Sequence, residues 1–271
     1  MAKVIAVTNQ KGGVGKTTTS INLAACLAAA ERKTLIIDLD PQGNASAGLG
    51  LEKETYVQAN IYQVIIGEKK MSESIYTTEL AMLDICPSDN NLIGAEIELV
   101  SAIARESKLK NAIAEISTEY EFVIIDCPPS LGLLTVNALN SCDSYLVPLQ
   151  TEYFAMEGLS QLISTVNLVK NSLNPRIELE GILLTMFDAR TSLSRQVANE
   201  INNHFGESVF QSIIPRNVKL SESPSFGKPI ILYDINSRGS LAYLSLTKEV
   251  LEKNSKTKVG QDDLLGSIGT I

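Results

Sequence analysis

The fold is decided by residues 10–18, which read Gln-Lys-Gly-Gly-Val-Gly-Lys-Thr-Thr. They follow a short β-branched run at residues 4–7 and precede a helical pattern that extends to Ala30. A glycine-rich loop between a strand and a helix places backbone N–H groups and the helix N-terminus around phosphate oxygens. This stretch therefore predicts a loop that binds the phosphates of a nucleotide.

Each residue type in the loop has a chemical use. Glycines let the backbone approach a phosphate closely, because they have no Cβ. Lys16 can reach the β- and γ-phosphates, and the Thr17 hydroxyl can ligate Mg²⁺. The predicted nucleotide-binding residues are Gln10, Lys11, Gly12, Gly13, Val14, Gly15, Lys16, Thr17 and Thr18.

Carboxylates follow two other apolar runs. Asp38 and Asp40 come after residues 34–37, and Asp126 comes after residues 122–125. Open α/β sheets bind their ligands at the carboxyl ends of the strands. An apolar strand that ends in an aspartate is typical of the Walker B motif, so Asp126 is predicted to orient a metal ion and its waters.

Short β-branched runs alternate with helix-length segments along the chain, with further strand candidates at residues 83–86, 144–147, 181–184 and 209–214. This alternation predicts an α/β fold with a mostly parallel twisted sheet and helices on both faces. No linker-like stretch divides the chain. We expect a single P-loop NTPase domain over residues 1–252 and a flexible C-terminal tail over residues 253–271.

Composition narrows the class of protein. The chain has 271 residues, 44% of them hydrophobic, and a formal net charge of -8, which argues against a uniformly basic coat for nucleic acid. The spacing of its four cysteines fits neither a disulfide framework nor a zinc cluster, so reduced, buried thiols are expected. Without a signal-peptide core or a long apolar stretch, a cytoplasmic location is expected.

The phosphate loop departs from the usual P-loop pattern, because Gln10 stands where that pattern has glycine and a second lysine, Lys11, follows it. This spelling resembles the deviant Walker A ATPases, the ParA/MinD group. The resemblance implies an ATP-dependent homodimer in which Lys11 crosses to the partner's nucleotide. It also implies that Lys11, Lys16 and Asp40 are catalytic, that Asp40 positions the attacking water, and that ATP and Mg²⁺ are the cofactors. The metal site would be formed by Thr17, Asp38 and Asp126.

Similarity to the ParA/Soj-type partition ATPases extends to about residue 250 and includes residues 94–99, 157–161, 185–190 and 214–217. It implies an ATPase that is weak alone and is stimulated by a ParB/Spo0J-type centromere-binding protein. It further implies that the ATP-bound dimer binds double-stranded DNA without sequence preference, is released on hydrolysis, and is associated with the nucleoid. By the same resemblance, Pro215 and Asn217 line the adenine and ribose pocket.

The distribution of charge gives an independent indication of DNA binding. Residues 1–188 hold 13 Lys and Arg against 23 Asp and Glu, whereas residues 189–240 hold 6 against 4. Positive charge near DNA phosphates supplies nonspecific affinity. By motif position, the resemblance implies that Arg190 and Lys219 are the first candidates, followed by Arg195, Arg216 and Arg238. Without the resemblance, six basic residues over 52 positions would indicate an ordinary solvated surface.

Three other functions are alternatives to partitioning. A MinD-like ATPase that positions the division site would need a basic amphipathic helix for lipid, but residues 262–271 contain no Lys or Arg, so no membrane anchor is expected. An iron–sulfur reductase would need bridging cysteines, and Cys127 and Cys142 do not resemble that pattern. An ATP-dependent metabolic ligase has no substrate-specific site to support it in the sequence.

Overall fold

A seven-stranded β-sheet lies at the centre of the part of the chain described here. The computed structural model describes the backbone of residues 1–266 and the side chains of residues 1–255. In spatial order the sheet is β3-β4-β2-β5-β1-β6-β7, and every pairing is parallel except that of β3 with β4. The strands are Lys3–Val7 (β1), Thr34–Asp38 (β2), Tyr76–Thr77 (β3), Leu83–Cys86 (β4), Phe122–Asp126 (β5), Ser144–Gln150 (β6) and Glu178–Thr185 (β7).

The central strands are apolar because both of their faces are covered. All five residues of β2 and all five of β5 are buried. Near-continuous apolar runs are what a parallel sheet between two helical layers requires. The register pairs Asp126 with Val7 on one side and with Asp38 on the other, so the ends of these three strands lie at one level.

Helices cover the sheet on both faces, as the sequence predicts. One core joins the sheet to α4–α9, and the other joins it to α1 and α10–α12. Within residues 1–266 the α-helices are Lys16–Ala29 (α1), Asn44–Gly48 (α2), Lys53–Tyr56 (α3), Ile61–Ile66 (α4), Leu92–Glu98 (α5), Lys108–Ile116 (α6), Leu133–Ser141 (α7), Ala155–Ser172 (α8), Ser192–Phe205 (α9), Val218–Glu222 (α10), Ile230–Tyr233 (α11) and Arg238–Gly266 (α12).

The strand predicted at residues 209–214 is wrong. Within this segment, Val209 forms an isolated bridge with Ile182 of β7. A second isolated bridge joins Pro215, just after the segment, to Phe187, just after β7. The backbone N–H groups of residues 211 and 212 instead donate to the Glu249 carboxylate, at 2.8 and 2.7 Å. With those donors taken by a side chain of α12, a continuous ladder does not form.

The expected change to an irregular tail at residue 253 is also corrected. Helix α12 continues through that position to Gly266. Lys253 donates to the Glu180 carbonyl oxygen, and the Asn254 side-chain amide donates to the Glu180 carboxylate at 2.9 Å. These contacts with β7 hold residues 253 and 254 against the sheet. The rest of the predicted tail, residues 267–271, lies outside the described residues.

All four cysteines are buried and free, as their spacing predicts. Among the described residues, no helix combines the length and the apolar character needed to cross a membrane.

Truncation of a central strand side chain should destabilise the domain strongly. Ile36 on β2 is fully buried, so Ile36→Ala should lower the free energy of unfolding by about 2–5 kcal/mol through lost burial and a cavity. The control is Ile97→Ala, because Ile97 is 75% exposed and its truncation should change stability by less than about 0.5 kcal/mol. Urea unfolding of the nucleotide-free protein measures both, and equal effects would contradict the assigned core.

Candidate nucleotide-binding site

The phosphate loop joins β1 to α1 at the carboxyl edge of the sheet. Gly13 and Gly15 have φ values of 73° and 89°, which only glycine adopts without strain. Helix α1 begins at Lys16 without a side-chain cap. The N–H groups of its first turn are therefore available to an anion, as the sequence predicts.

Two side chains that sequence reasoning missed fix the shape of this loop. The Thr185 hydroxyl, at the end of β7, donates to the Val14 carbonyl oxygen at 2.8 Å. The Asn9 amide donates to the Pro148 carbonyl oxygen at 2.8 Å, and its Oδ1 accepts from the Lys11 N–H at 3.0 Å. The phosphate loop is thus hydrogen-bonded to β6, which is the neighbour of β1, and to β7, which is the strand beyond β6.

The Lys16 ammonium lies inside the loop. Its Nζ donates to the Lys11 carbonyl oxygen at 3.0 Å, and the residue is only 6% exposed. Burial lowers the pKa of Lys16, while the carboxylates of Asp126 and Asp40 act in the opposite direction. A cation in this position is ready to neutralise phosphate charge.

The second lysine of the loop has a different partner. Lys11 Nζ lies 2.6 Å from Glu152 Oε2, and the two side chains are 41% and 47% exposed. Gln10 reaches the same region, where its amide donates to Gln161 on α8. Glu152 was not predicted; its only sequence signal is its position just after β6.

Asp126 ends β5 with one carboxylate oxygen unsatisfied. The Ser20 hydroxyl donates to Oδ1 at 2.8 Å, whereas Oδ2 is buried without a hydrogen-bond partner among the described residues. Burial, followed by repulsion from Asp38, raises the pKa of Asp126 to about 8. The hydroxyls of Thr17 and Ser20 act to lower it. A buried acceptor with nothing to accept from is suited to a cation or a metal-bound water.

Asp38 anchors the loop that carries Asp40. Asp38 Oδ2 accepts from the Ser46 N–H and hydroxyl at 2.9 and 2.7 Å, and Oδ1 accepts from the Asp40 N–H at 3.2 Å. Burial raises the pKa of Asp38 to about 6. Asp40 is 7% exposed, and its Oδ1 accepts from the Gln42 N–H at 3.0 Å. Both carboxylates therefore lie at the β2 end predicted for them.

The residues predicted for the adenine pocket adjoin this edge through β7. Pro215 pairs with Phe187, two residues after the Thr185 that binds the phosphate loop. Asn217 caps α10 by accepting from the Lys219 N–H at 2.8 Å. The residues predicted to bind DNA are all exposed, on the loop after β7 and on or near α9, α10 and the start of α12: Arg190, Arg195, Arg216, Lys219 and Arg238.

The fold and this site place the chain among the P-loop nucleotide-binding proteins, in which a phosphate loop joins the first strand of a parallel sheet to its first helix. A family model described as an AAA domain matches residues 2–179. Chromosome partitioning protein ParA of Myxococcus xanthus is 52% identical over 94% of this chain and 90% of its own length. Sporulation initiation inhibitor protein Soj of Bacillus subtilis is 54% identical over 92% and 98%. The chain belongs to the ParA/Soj family of chromosome-partitioning ATPases.

A solved structure with the same fold carries a different name. Cobyrinic acid a,c-diamide synthase from Mycobacterium smegmatis, crystallised with ADP and magnesium, is 35% identical and has a TM-score of 0.81. The match covers 93% of this chain and 94% of that one. The predicted fold class and family resemblance are thus confirmed, whereas the individual site roles remain predictions.

The two buried carboxylates should make stability depend on pH. The folded chain retains protons on Asp38 up to about pH 6 and on Asp126 up to about pH 8, whereas unfolded aspartates lose theirs near pH 4. The folded state therefore binds more protons than the unfolded state between about pH 4 and pH 8. The free energy of unfolding of the nucleotide-free protein should fall across this range by an amount on the order of a few kcal/mol.

Urea titrations from pH 5 to pH 8 measure this slope. Asp126→Asn removes the group with the higher folded pKa, so most of the fall between pH 6 and pH 8 should disappear. His204 is the one histidine of the chain and lies exposed on α9, so His204→Gln is the control and should keep the profile of the unaltered protein. A profile that rises with pH would contradict the assignment.

Proposed function

We propose that this chain is an ATP-dependent DNA-partitioning ATPase whose ATP-bound dimer binds DNA nonspecifically and is released on hydrolysis. The observation that carries the proposal is the separation of the two loop lysines. Lys16 occupies the loop, whereas Lys11 is half-exposed and paired with Glu152. A loop lysine whose ammonium lies away from the loop interior can reach the nucleotide of a second copy, so the site would be complete only in the dimer.

ATP and Mg²⁺ fit the residues present. The loop N–H groups, the start of α1 and Lys16 suit the phosphates. The described residues contain no cluster of three or more histidine, cysteine or acidic ligands for a metal, so the ion would be held largely by phosphate oxygens and water. Thr17 would ligate it, with the unsatisfied Oδ2 of Asp126 and the carboxylate of Asp38 close by. Bound Mg²⁺ would neutralise part of the negative charge on the phosphate oxygens.

Asp40 would hold the attacking water. Its carboxylate is almost fully buried at the end of β2, and the one hydrogen bond described for it comes from the Gln42 N–H to Oδ1. Acceptor capacity therefore remains for a water molecule. Hydrolysis would be slow in the chain alone and faster with a ParB/Spo0J-type protein, which couples release from DNA to the centromere.

Removal of Lys11 should separate nucleotide binding from dimerisation. Lys11→Ala should bind ATP within about 2-fold of the unaltered chain, because the Lys11 ammonium contacts Glu152 and not the loop interior. It should fail to dimerise with ATP and Mg²⁺ in sedimentation-velocity experiments. Lys16→Ala should lose ATP binding itself, because Lys16 is the cation within the loop.

The control for Lys11→Ala is Lys69→Ala. Lys69 is also an exposed lysine paired with a glutamate, Glu73, but it lies in the turn after α4. Its removal should leave both ATP binding and dimerisation intact. ATP-dependent dimers of Lys11→Ala with normal turnover would contradict the role assigned to Lys11, whatever the outcome for Lys16→Ala.

DNA binding is proposed for the exposed basic residues around β7 and α10. The loop after β7 carries Arg190 and is hydrogen-bonded to the segment that carries Arg216. The Phe187 N–H donates to the Ile214 carbonyl oxygen at 3.1 Å, and the Arg216 N–H donates to the Phe187 carbonyl oxygen at 3.2 Å. Helix α10, which carries Lys219, begins directly after that segment. Two copies of this patch on one dimer would roughly double the phosphate contacts and steepen the salt dependence of binding. Nucleoid association of the ATP-bound form would follow.

Charge reversal at Arg190 and Lys219 should abolish this binding. Arg190→Glu with Lys219→Glu should weaken ATP-dependent binding to plasmid DNA on the order of 100-fold or more. Lys53→Glu with Lys69→Glu makes the same change in net charge elsewhere and should have a much smaller effect. Co-sedimentation at several salt concentrations, with ATP and with ADP, provides the measurement; equal losses in the two double variants would place the patch elsewhere.

The same assay with anionic liposomes tests the MinD-like alternative. ATP-dependent sedimentation with liposomes and not with DNA would favour the membrane function. A ligase function is suggested by the name of the Mycobacterium smegmatis structure, but identity to that chain is 35% against 52% to the ParA of Myxococcus xanthus. We therefore place partitioning first.

A further inference from the structure

The Arg190 guanidinium is already bound to a carboxylate of its own chain. Its Nε donates to Asp188 Oδ1 at 2.9 Å and its Nη2 donates to Oδ2 at 2.7 Å. The arginine side chain is 87% exposed, whereas the aspartate is 22% exposed. This is the two-bond, fork-like geometry that an arginine also uses to bind phosphate.

Asp188 is held in place for this contact by its own loop. Its Oδ1 also accepts from the Arg190 N–H at 3.0 Å, and its carbonyl oxygen accepts from the Thr191 N–H at 3.1 Å. The hydrogen bonds from Arg190 hold the pKa of Asp188 well below its usual range. Asp188 is therefore a fixed negative charge beside Arg190.

Lys219 has a carboxylate partner of the same kind. Its Nζ lies 3.1 Å from Glu222 Oε2, one helical turn away on α10. Glu222 is itself positioned by the Tyr233 hydroxyl, which donates to the same oxygen at 3.0 Å. Lys219 Nζ also lies 5.4 Å from the centre of the Tyr233 ring.

The other predicted DNA-binding residues differ in this respect. Arg195, Arg216 and Arg238 form no ion pair with any residue of the part described in side-chain detail. Arg190 and Lys219 are the first candidates by motif position, and they are also the two that are paired with a carboxylate.

We propose that Asp188 and Glu222 are built-in counter-ions that compete with DNA phosphates for Arg190 and Lys219, and so set the affinity of the chain for DNA. This inference rests on the proposed function, and it adds what limits the affinity of the chain for DNA. A phosphate must displace the carboxylate and then lie close to it, and both the lost pair and the new repulsion oppose binding. Low affinity in each chain makes binding depend on the doubled patch of the dimer.

Asp188→Asn tests the proposal while keeping the loop. The asparagine Oδ1 can still accept from the Arg190 N–H, but the negative charge is gone. Exposed ion pairs correspond to factors of about 1.5 to 5 in an equilibrium, so two copies per dimer should tighten DNA binding on the order of 10-fold. Fluorescence anisotropy with a random-sequence duplex and a nonhydrolysable ATP analogue measures the change.

The matched control is Glu200→Gln. Glu200 is an exposed glutamate on α9 whose carboxylate makes no described hydrogen bond or ion pair, so the substitution changes net charge equally without freeing a cation. We expect a change below about 2-fold, because the charge acts on DNA only through screened solvent. An Asp188→Asn affinity within 2-fold of that of Glu200→Gln would overturn the proposal.

Two further variants keep the test sharp. Glu222→Gln should also tighten binding, which guards against a folding defect specific to Asp188→Asn. In an Arg190→Ala background, Asp188→Asn should give a much smaller gain, because no cation is freed from Asp188 and only the repulsion between its carboxylate and phosphate is relieved. A full gain in that background would attribute the effect to net charge and contradict the counter-ion role.

These outcomes are separable from those of the proposed function. Binding by the unaltered chain with no gain in either variant contradicts the counter-ions alone. Absence of DNA binding in the unaltered chain and in both variants contradicts the proposed function and the counter-ions together. Binding that appears only in the variants supports the counter-ions directly.

Discussion

The burial of opposite charges at the ends of the central strands is the constraint on which the site depends. Asp38 and Asp126 are paired across β2 and β5 and are both fully buried, and the charge of Asp126 acts on the buried Lys16 of the phosphate loop. Neither carboxylate would remain there without compensation, because burial of an unpaired charge costs far more than a typical contact returns. Hydrogen bonds from Ser20 and Ser46 supply part of that compensation, and proton uptake supplies more.

The incomplete compensation at Asp126 links folding to ligand binding. Asp38 has partners for both oxygens, but Asp126 Oδ2 has none within the described part of the chain. A buried acceptor without a donor destabilises the ligand-free state. Any ligand that brings a cation or a water to this oxygen removes that cost and stabilises the fold by mass action. The same carboxylate thus makes the empty domain weaker and the loaded domain stronger.

Local sequence was sufficient to predict the parts of the site that lie within one strand and the loop after it. The phosphate loop, Asp38, Asp40 and Asp126 are of this kind, because strand order brings their ends together in any parallel sheet of this type. The supports of the loop were not predictable in this way. Thr185 binds a carbonyl 171 residues away, and Glu152 binds a lysine 141 residues away. Similarly, the local sequence of residues 209–214 predicts a strand, but two of their N–H groups donate to the distant Glu249 carboxylate.

Three of the exposed ion pairs share one property. Lys11, Arg190 and Lys219 are each expected to meet phosphates of another molecule, and each is held by a carboxylate of its own chain. These pairs are exposed, so each is weak enough to be exchanged for a phosphate. Under the proposed mechanism, they nevertheless lower the affinity of a single chain. Binding to DNA would replace several of these carboxylates with phosphates at once. A dimer offers twice as many phosphate contacts as a monomer, so it would bind more tightly although each contact remains weak and reversible.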